Sequence, residues 1–276
     1  MRTKSVPMMR HADPTARSQP VTLLSVVMAV YNEADTVADV VEQVLKLNLG
    51  DRRLELIIIE SNSSDGTRRI VESFERRPGV RVIYEDRPRG KGFAVRAGLT
   101  AARGDVILVQ DGDLEYSVDD YPALLQPIEA GETSFVLGSR HVPGRPIRHF
   151  AEARWTSFVL NTAHWCFTAL FDLTYGVRLR DPFTMYKVFR RECIDGVVFT
   201  SDRFDFDWEL VAKLIRCGHR PLEVPVAYTS RDFKSGKKVR MWRDPLTWVV
   251  ACFKFRFTPI VRAQSAAPGE TSVSPT

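Results

Sequence analysis

"LLSVVMAVYNEADTVADVV", residues 23–41, shows the architecture in miniature. Residues 23–30 form a continuous apolar run, and the run stops at Tyr31-Asn32-Glu33. Beyond that loop Val37, Val40, Val41, Val44 and Leu45 recur at helical spacing, so a buried strand feeds an amphipathic helix. The unit repeats down the chain. "LELIIIE" (54–60) precedes "DGTRRIVESFERR", "VRVIY" (80–84) precedes "GKGFAVRAGLTAARG", and "DVILV" (105–109) leads into a cluster of acids. Strands apolar on both faces and separated by helices predict an α/β fold with a mostly parallel sheet covered on both sides.

In such sheets ligands bind outside the carboxyl ends of the strands. The polar loops "YNEAD", "ESNSSDGT" and "QDGDLEYS" fall there, each rich in carboxylates or small polar residues. The second half is less regular. "TSFVLGSRHVPG" (133–144) reads as a strand entering a basic loop, and "DPFTMYKVFRRE" (181–192) has strand-like content. "FDFDWELVAKLIRCGHRPLEVPVAY" reads as an acid-led helix, a stop at Gly218 and a strand with Pro225 at an edge or bulge. One domain over 21–262, with disordered tails at 1–20 and 263–276, is the expected organisation.

The acids after the fourth strand are Asp111, Asp113 and Glu115. Like charges this close repel unless a cation, hydrogen bonds or solvent absorb them. Asp111-Gly112 is also a hairpin signal, but a tight turn leaves Asp113 and Glu115 unexplained. Two carboxylates flanking a glycine can direct oxygens at one hard cation, Mg2+ or Mn2+, and Mg2+ completes its shell with waters and substrate phosphates.

The chain has 276 residues and a net charge of +5, with a dense basic run in "SRDFKSGKKVRMWRD" (230–244) that suits an anionic partner. Four cysteines, Cys166, Cys193, Cys217 and Cys252, form no CxxC pair, which argues against a zinc site or a disulfide framework and fits a reducing cytosol. "WTSFVLNTAHWCFTALF" (155–171) is too short and polar for a membrane span of roughly 18 or more apolar residues, and reads as a buried or interfacial helix. In "MWRDPLTWVVACFKFRF", Trp242, Trp248, Phe253, Phe255 and Phe257 interleave with basic residues, as in a helix at a membrane interface or one closing the core.

The ordered set "YNEADTVADVV", "SNSSDGT", "RGKGFAVRAGLTAARGDVILVQDGD" and "LGSRHVPG" resembles the family 2 glycosyltransferases of the GT-A fold. The likeness is strongest to the branch that transfers sugars to dolichol and other polyprenyl phosphates, and it covers about residues 23–240. It implies a nucleotide-sugar donor contacted by Tyr31 and Glu33, with Ala29 where the family carries proline. It implies a metal held by Asp111 and Asp113, with Gly112 between them and Glu115 as a third contact that is often glutamine in relatives. Glu60-Ser61 stands where the family has an acidic pair, which leaves the base, guanine or uracil, open. Lys91 falls near the donor and Arg140 near donor or acceptor phosphates, while Asp65 is placed to cap the helix over 66–76.

The expected reaction is transfer of a hexose, with inversion, to a lipid phosphate. Asp113 anchors the metal, and for a hydroxyl acceptor Asp207, Glu209 and Asp181 are candidate bases. A phosphate acceptor needs no base and instead needs cations, for which Arg231, Lys234, Lys237 and Lys238 are candidates. These features predict a peripheral enzyme on the cytoplasmic face of a membrane. The processive synthase motif Q-x-x-R-W is missing at "KKVRMW" (237–242), and no nucleic-acid module accompanies the basic run. A soluble hydroxyl glycosyltransferase and a catalytically inactive nucleotide-binding scaffold are the alternatives.

Overall fold

The computed structural model describes residues 18–141, 154–230 and 244–262. Its spine is β1 (Leu23–Val30), flanked by β2 (Arg53–Glu60) and β4 (Val106–Asp111), with β3 (Val80–Tyr84) beyond β2; all of these pair in parallel. The intervening helices are α1 (Val37–Lys46), α2 (Thr67–Glu72) and α3 (Lys91–Ala101). Then come α4 (Tyr121–Glu129), β5 (Phe135–Ser139), α5 (Arg154–Tyr175), β6 (Lys187–Arg190), α6 (Phe206–Arg216), β7 (Leu222–Pro225) and α7 (Asp244–Phe257). Among the described residues, seven strands lie in the order β3-β2-β1-β4-β6-β5-β7.

Side chains alternate across the sheet and create two cores, as the period of two requires. Val26, Met28, Ile58 and Leu108 join Val37, Val40, Val41 and Val44 of α1 on one face. Val27, Ile57, Ile59, Ile107 and Val109 join α3, α5, α6 and α7 on the other. Each such aliphatic side chain, fully buried, contributes on the order of 1.5–3 kcal/mol.

The expected parallel sheet is present, with one departure: β6 runs antiparallel to both β4 and β5. The strand expected over 181–192 is confined to its last part. Upstream of it the backbone is spent on a loop, where the N–H of Thr184 reaches the carbonyl of Asp181 and the N–H of Met185 reaches Tyr116 Oη. Likewise α2 is shorter than 66–76. The N-cap position falls on Gly66 rather than on Asp65, which stands one residue earlier with Oδ1 accepting from the Thr67 N–H at 3.0 Å and from its hydroxyl at 2.6 Å. Pro225 lies on the edge strand β7, which pairs on one side with β5, and Gly218 follows α6 with φ at 100°.

The long helix α5 is two-faced. Ser157, His164, Thr168 and Phe171 are buried, whereas Phe158, Val159, Trp165 and Leu173 are exposed. In α7 Phe255 is buried, while Val250, Phe253 and Phe257 face outward. The core reading therefore holds for one face of each helix, with Phe255 belonging to the core, while the opposite faces leave apolar side chains exposed. Among the described residues no helix is long and apolar enough to cross a membrane. The tails 1–17 and 263–276, and Arg231, Lys234, Lys237, Lys238 and Trp242, lie outside the described residues.

Candidate active site

Strand order creates the site. The chain leaves β1 for β2 on one side and later returns to β4 on the other, so the β1–β4 boundary is a topological switch point. There Ala29 stands opposite Asp111, and Val30 is paired with Glu60 on β2. Three loops meet at this edge: Tyr31-Asn32-Glu33, the segment from Ser61 to Asp65, and Asp111-Gly112-Asp113.

The acidic loop does not reverse the chain into a hairpin. Beyond Gly112 the Asp113 carboxylate turns back, Oδ1 accepting from the Glu115 N–H at 3.0 Å. Glu115 Oε2 accepts from Tyr228 Oη at 3.1 Å. A Cβ at Gly112 would meet Val30 Cγ2 at 3.3 Å, and the Gly112 carbonyl accepts from the Thr36 hydroxyl at 2.9 Å. The loop is thus packed directly on the one that follows β1.

Lys91 is driven into the same place from α3. A Cβ on Gly92 would lie 2.6 Å from the Ser201 carbonyl oxygen and from Phe206 Cβ, contacts only glycine permits. Flanked by Gly90 and Gly92, the lysine extends its ammonium to 2.5 Å from Asp111 Oδ1 and 3.0 Å from Met185 Sδ. Burial pulls that ammonium down, but Asp111 and Asp207 outweigh it, so its pKa is raised.

The other two loops are laced together. Asn32 N–H donates to Ser63 Oγ and Asn32 Oδ1 accepts from the Ser64 N–H, while the Glu33 N–H donates to Thr67 Oγ1. Tyr31 is partly exposed at the rim. Glu60 is fully buried; Oε1 accepts from the Ser63 N–H at 2.7 Å, and Oε2 lies 3.4 Å from Arg68 Nε. Ser61 is also buried, next in the chain to that carboxylate.

Asp207 and Glu209 part company because residues two apart on a helix point about 200° apart. Asp207 accepts from Lys187 Nζ at 2.8 Å. Lys187 is itself fully buried, and desolvation, only partly offset by Asp207, lowers its pKa. Glu209 is fully buried, its oxygens accepting from Thr200, Ser201 and Lys213. It anchors the 200–201 segment and presents no oxygen to an acceptor, so its place among the candidate bases is not supported by its position.

Arg140 and Asp181 also meet each other. Asp181 takes Arg140 Nε and Nη2, both at 2.7 Å, and the Arg140 side chain is 8% exposed. Burial pushes the Asp181 carboxyl up, yet Arg140 outweighs it and the net is downward. The guanidinium also lies 5.3 Å over the Tyr228 ring. Neither residue stands open to solvent as a phosphate clamp or a base.

Four participants escape sequence reasoning: Lys187, Tyr228, His164 and Glu223. Glu223 accepts from the backbone N–H of Arg180 and Asp181, and burial lifts its carboxyl to about 7. His164 Nε2 lies 3.9 Å from Asp181 Oδ1. Lys187 opens β6 (Lys187–Arg190), and its sequence context does not announce its burial or its partner.

Among the described residues no three carboxylate, imidazole or thiol groups converge into a ready-made metal cage. Mg2+ does not require one, since one or two carboxylates together with substrate phosphates suffice. Asp111 and Asp113, on a glycine-hinged loop at the carboxyl edge, fit that donor set. Glu115, turned to Tyr228, fits it less directly.

The structural class follows from likeness to solved proteins. Glucosyl-3-phosphoglycerate synthase of Mycobacterium tuberculosis, solved with Mn2+, UDP-glucose and phosphoglyceric acid, superposes with a TM-score of 0.61 over 86% of this chain and 81% of its own, at 21% identity. Mannosyl-3-phosphoglycerate synthase of Rubrobacter xylanophilus gives 0.61 over 86% and 73%, at 19% identity. The architecture is the GT-A glycosyltransferase fold. The model of glycosyl transferase family 2 matches residues 25–197, and the chain belongs to that family.

Named relatives extend the picture. Glycosyltransferase AglJ of Haloferax volcanii is 28% identical over 215 residues, 78% of this chain and 65% of that protein. Dodecaprenyl-phosphate galacturonate synthase of Rhizobium johnstonii is 27% identical over 76% and 60%, respectively. Undecaprenyl-phosphate 4-deoxy-4-formamido-L-arabinose transferase of Klebsiella pneumoniae is 28% identical over 79% and 63%. The chain thus spans between 60% and 65% of the length of these relatives.

Proposed function

We propose that the chain is a metal-dependent, inverting glycosyltransferase that moves a hexose from a GDP- or UDP-sugar to a polyprenyl phosphate at the cytoplasmic face of a membrane. The observation that carries this reading is the position of Asp111 and Asp113 at the β1–β4 switch point, beside the loop of Tyr31 and Glu33. The polyprenyl-phosphate activities for which these relatives are named support the acceptor class.

Asp111 and Asp113 hold Mg2+ or Mn2+. A cation held by these two carboxylates would supply Lewis-acid stabilisation to the departing nucleoside diphosphate. The loops carrying Tyr31, Glu33, Glu60 and Ser61 receive the nucleoside. An oxygen of the acceptor phosphate attacks the anomeric carbon from the face opposite the donor phosphate; that C–O bond forms as the glycosyl–phosphate bond breaks. The acceptor is already an anion and needs no base. On this reading Asp207, whose Oδ1 accepts from Lys187 Nζ, is not required as a base. Arg231, Lys234, Lys237 and Lys238 are the cations assigned to the acceptor phosphate.

Membrane contact is assigned to the outward faces of α5 and α7. Phe158, Trp165 and Leu173 recur at helical spacing, and Phe253 and Phe257 lie beside Lys254 and Arg256. Apolar and basic residues on one surface suit the headgroup boundary. Trp165 also packs 4.6 Å from His141, next to Arg140, which puts this face close to the site.

The test incubates the full chain with labelled GDP- and UDP-hexoses and polyprenyl phosphate in vesicles. Label should pass to the organic-extractable lipid, cease in excess chelator, and fall at least a hundredfold in Asp113→Asn. Undiminished transfer in chelator would refute the metal, and transfer confined to water-soluble hydroxyl acceptors would refute the lipid.

A further inference from the structure

We infer that Lys91 is a tethered cation that competes with the divalent metal for Asp111, so that metal binds weakly until a nucleoside diphosphate arrives. The inference rests on the reading that Asp111 and Asp113 hold a metal, and adds a positioning role for a residue that acts through Asp111.

Three observations carry it. The ammonium lies 2.5 Å from Asp111 Oδ1, within the distance at which it neutralises that carboxylate and excludes a second cation from the same oxygen. Its backbone is fixed there, because neither flanking glycine tolerates a Cβ against the 201–206 segment. The neighbouring acids are also engaged: Asp207 by Lys187 Nζ at 2.8 Å, Glu115 by Tyr228 Oη at 3.1 Å, and Asp113 by the Glu115 N–H at 3.0 Å. Asp111 is therefore where an added dication meets a resident cation most directly.

A dication seated on Asp111 beside the ammonium suffers like-charge repulsion in a poorly hydrated site, where such interactions are strong. A diphosphate relieves it by offering anionic oxygens to both cations. Lys91 can leave Asp111 for a phosphate without losing an ionic partner, and the metal gains Asp111 together with phosphate oxygens. Metal and nucleotide then bind cooperatively, each raising the other's affinity by the same factor.

The experiment measures Mn2+ binding to the full chain by the loss of the free-ion paramagnetic resonance signal, alone and with saturating GDP or UDP. Neither nucleotide can react, so the readout is independent of turnover. Lys91→Met removes the charge and keeps the length and apolar stem; Lys91→Arg keeps the charge. Without nucleotide, Lys91→Met should bind Mn2+ about tenfold more tightly than the parent, equivalent to about 1.4 kcal/mol, and Lys91→Arg should not. Nucleotide should tighten Mn2+ binding in the parent by a much larger factor than in Lys91→Met. Circular dichroism confirms folding, and Lys91→Gln replaces Lys91→Met if that variant does not fold. Equal or weaker Mn2+ binding by the uncharged variants, with metal affinity still lost in Asp113→Asn, overturns the role of Lys91 alone. Absence of Mn2+ binding in the parent with either nucleotide overturns the metal reading and this inference together.

Discussion

Asp181 holds Arg140 by three hydrogen bonds: from Nε and Nη2, both at 2.7 Å, and from the Arg140 backbone N–H at 2.9 Å. Both side chains are buried. Removing one charge of a buried pair strands the other, at a typical cost of about 3–5 kcal/mol. Asp181→Asn should therefore lower the unfolding free energy by that order in denaturant titrations. The double change Asp181→Asn with Arg140→Met should recover a substantial part, because no charge is left behind. A double variant no more stable than the single would show that the pair's value is not electrostatic.

Glu223 underlies that pair by accepting from the N–H groups of Arg180 and Asp181, and burial raises its carboxyl from 4.5 to about 7. An acid whose folded pKa lies above its unfolded one favours the fold when protonated. Its contribution is complete below about pH 4.5 and is lost as pH rises through about 7, amounting to roughly 3 kcal/mol. Glu223→Gln keeps an oxygen for the two N–H groups and cannot ionise. Its stability should fall less than the parent's between pH 5 and 8, leaving the same-signed effect of Asp172, raised to about 6 by burial. Parallel stability curves for parent and variant would refute this assignment.

Gly92→Ala tests how Lys91 is aimed. The added methyl meets the Ser201 carbonyl oxygen and Phe206 Cβ at 2.6 Å, and a backbone carbonyl cannot swing aside as a side-chain tip can. Overpacking of this kind costs about 1–3 kcal/mol. Because the strain falls beside Lys91, kcat/KM for sugar transfer should drop more than in an equally destabilised variant remote from the site. A loss matched by the remote variant would leave the glycine with a packing role alone.

What the sequence made legible was local. Val37, Val40, Val41 and Val44 announce α1 by spacing, and Asp111, Gly112 and Asp113 sit together in a loop whose position after a strand follows from the run before it. Partners distant in the chain were not legible. Tyr228 reaches Glu115 across 113 positions, and Lys187 reaches Asp207 only because β6 brings it beneath α6. The antiparallel direction of β6 was equally hidden, since an apolar strand reads the same whichever way its neighbours run. Glu209 and Asp207 are both acids of one helix in sequence, but a separation of two residues sends their carboxylates to different places. The inward turn of Phe255 between the outward Phe253 and Phe257 obeys the same geometry.

The outward faces of α5 and α7 make the final prediction. Phe158, Leu173 and Phe257 are 61%, 85% and 74% exposed, so their replacement removes little that the fold depends on. Serine at all three should leave stability within about 1 kcal/mol of the parent, because surface substitutions away from caps, cores and buried pairs are usually near neutral. On a lipid surface the same side chains, each partly withdrawn from water, should together contribute about 3 kcal/mol, or roughly a hundredfold in partitioning. Flotation with vesicles containing anionic lipid should therefore show the triple serine variant largely unbound under conditions where the parent floats. Charge reversal at Lys237 and Lys238 should weaken binding mainly at low ionic strength, because screening shortens the reach of exposed charges to about 10 Å at 0.1 M salt. The serine variant's deficit should persist at high salt. Parent-like flotation of the serine variant would remove these faces from the membrane assignment.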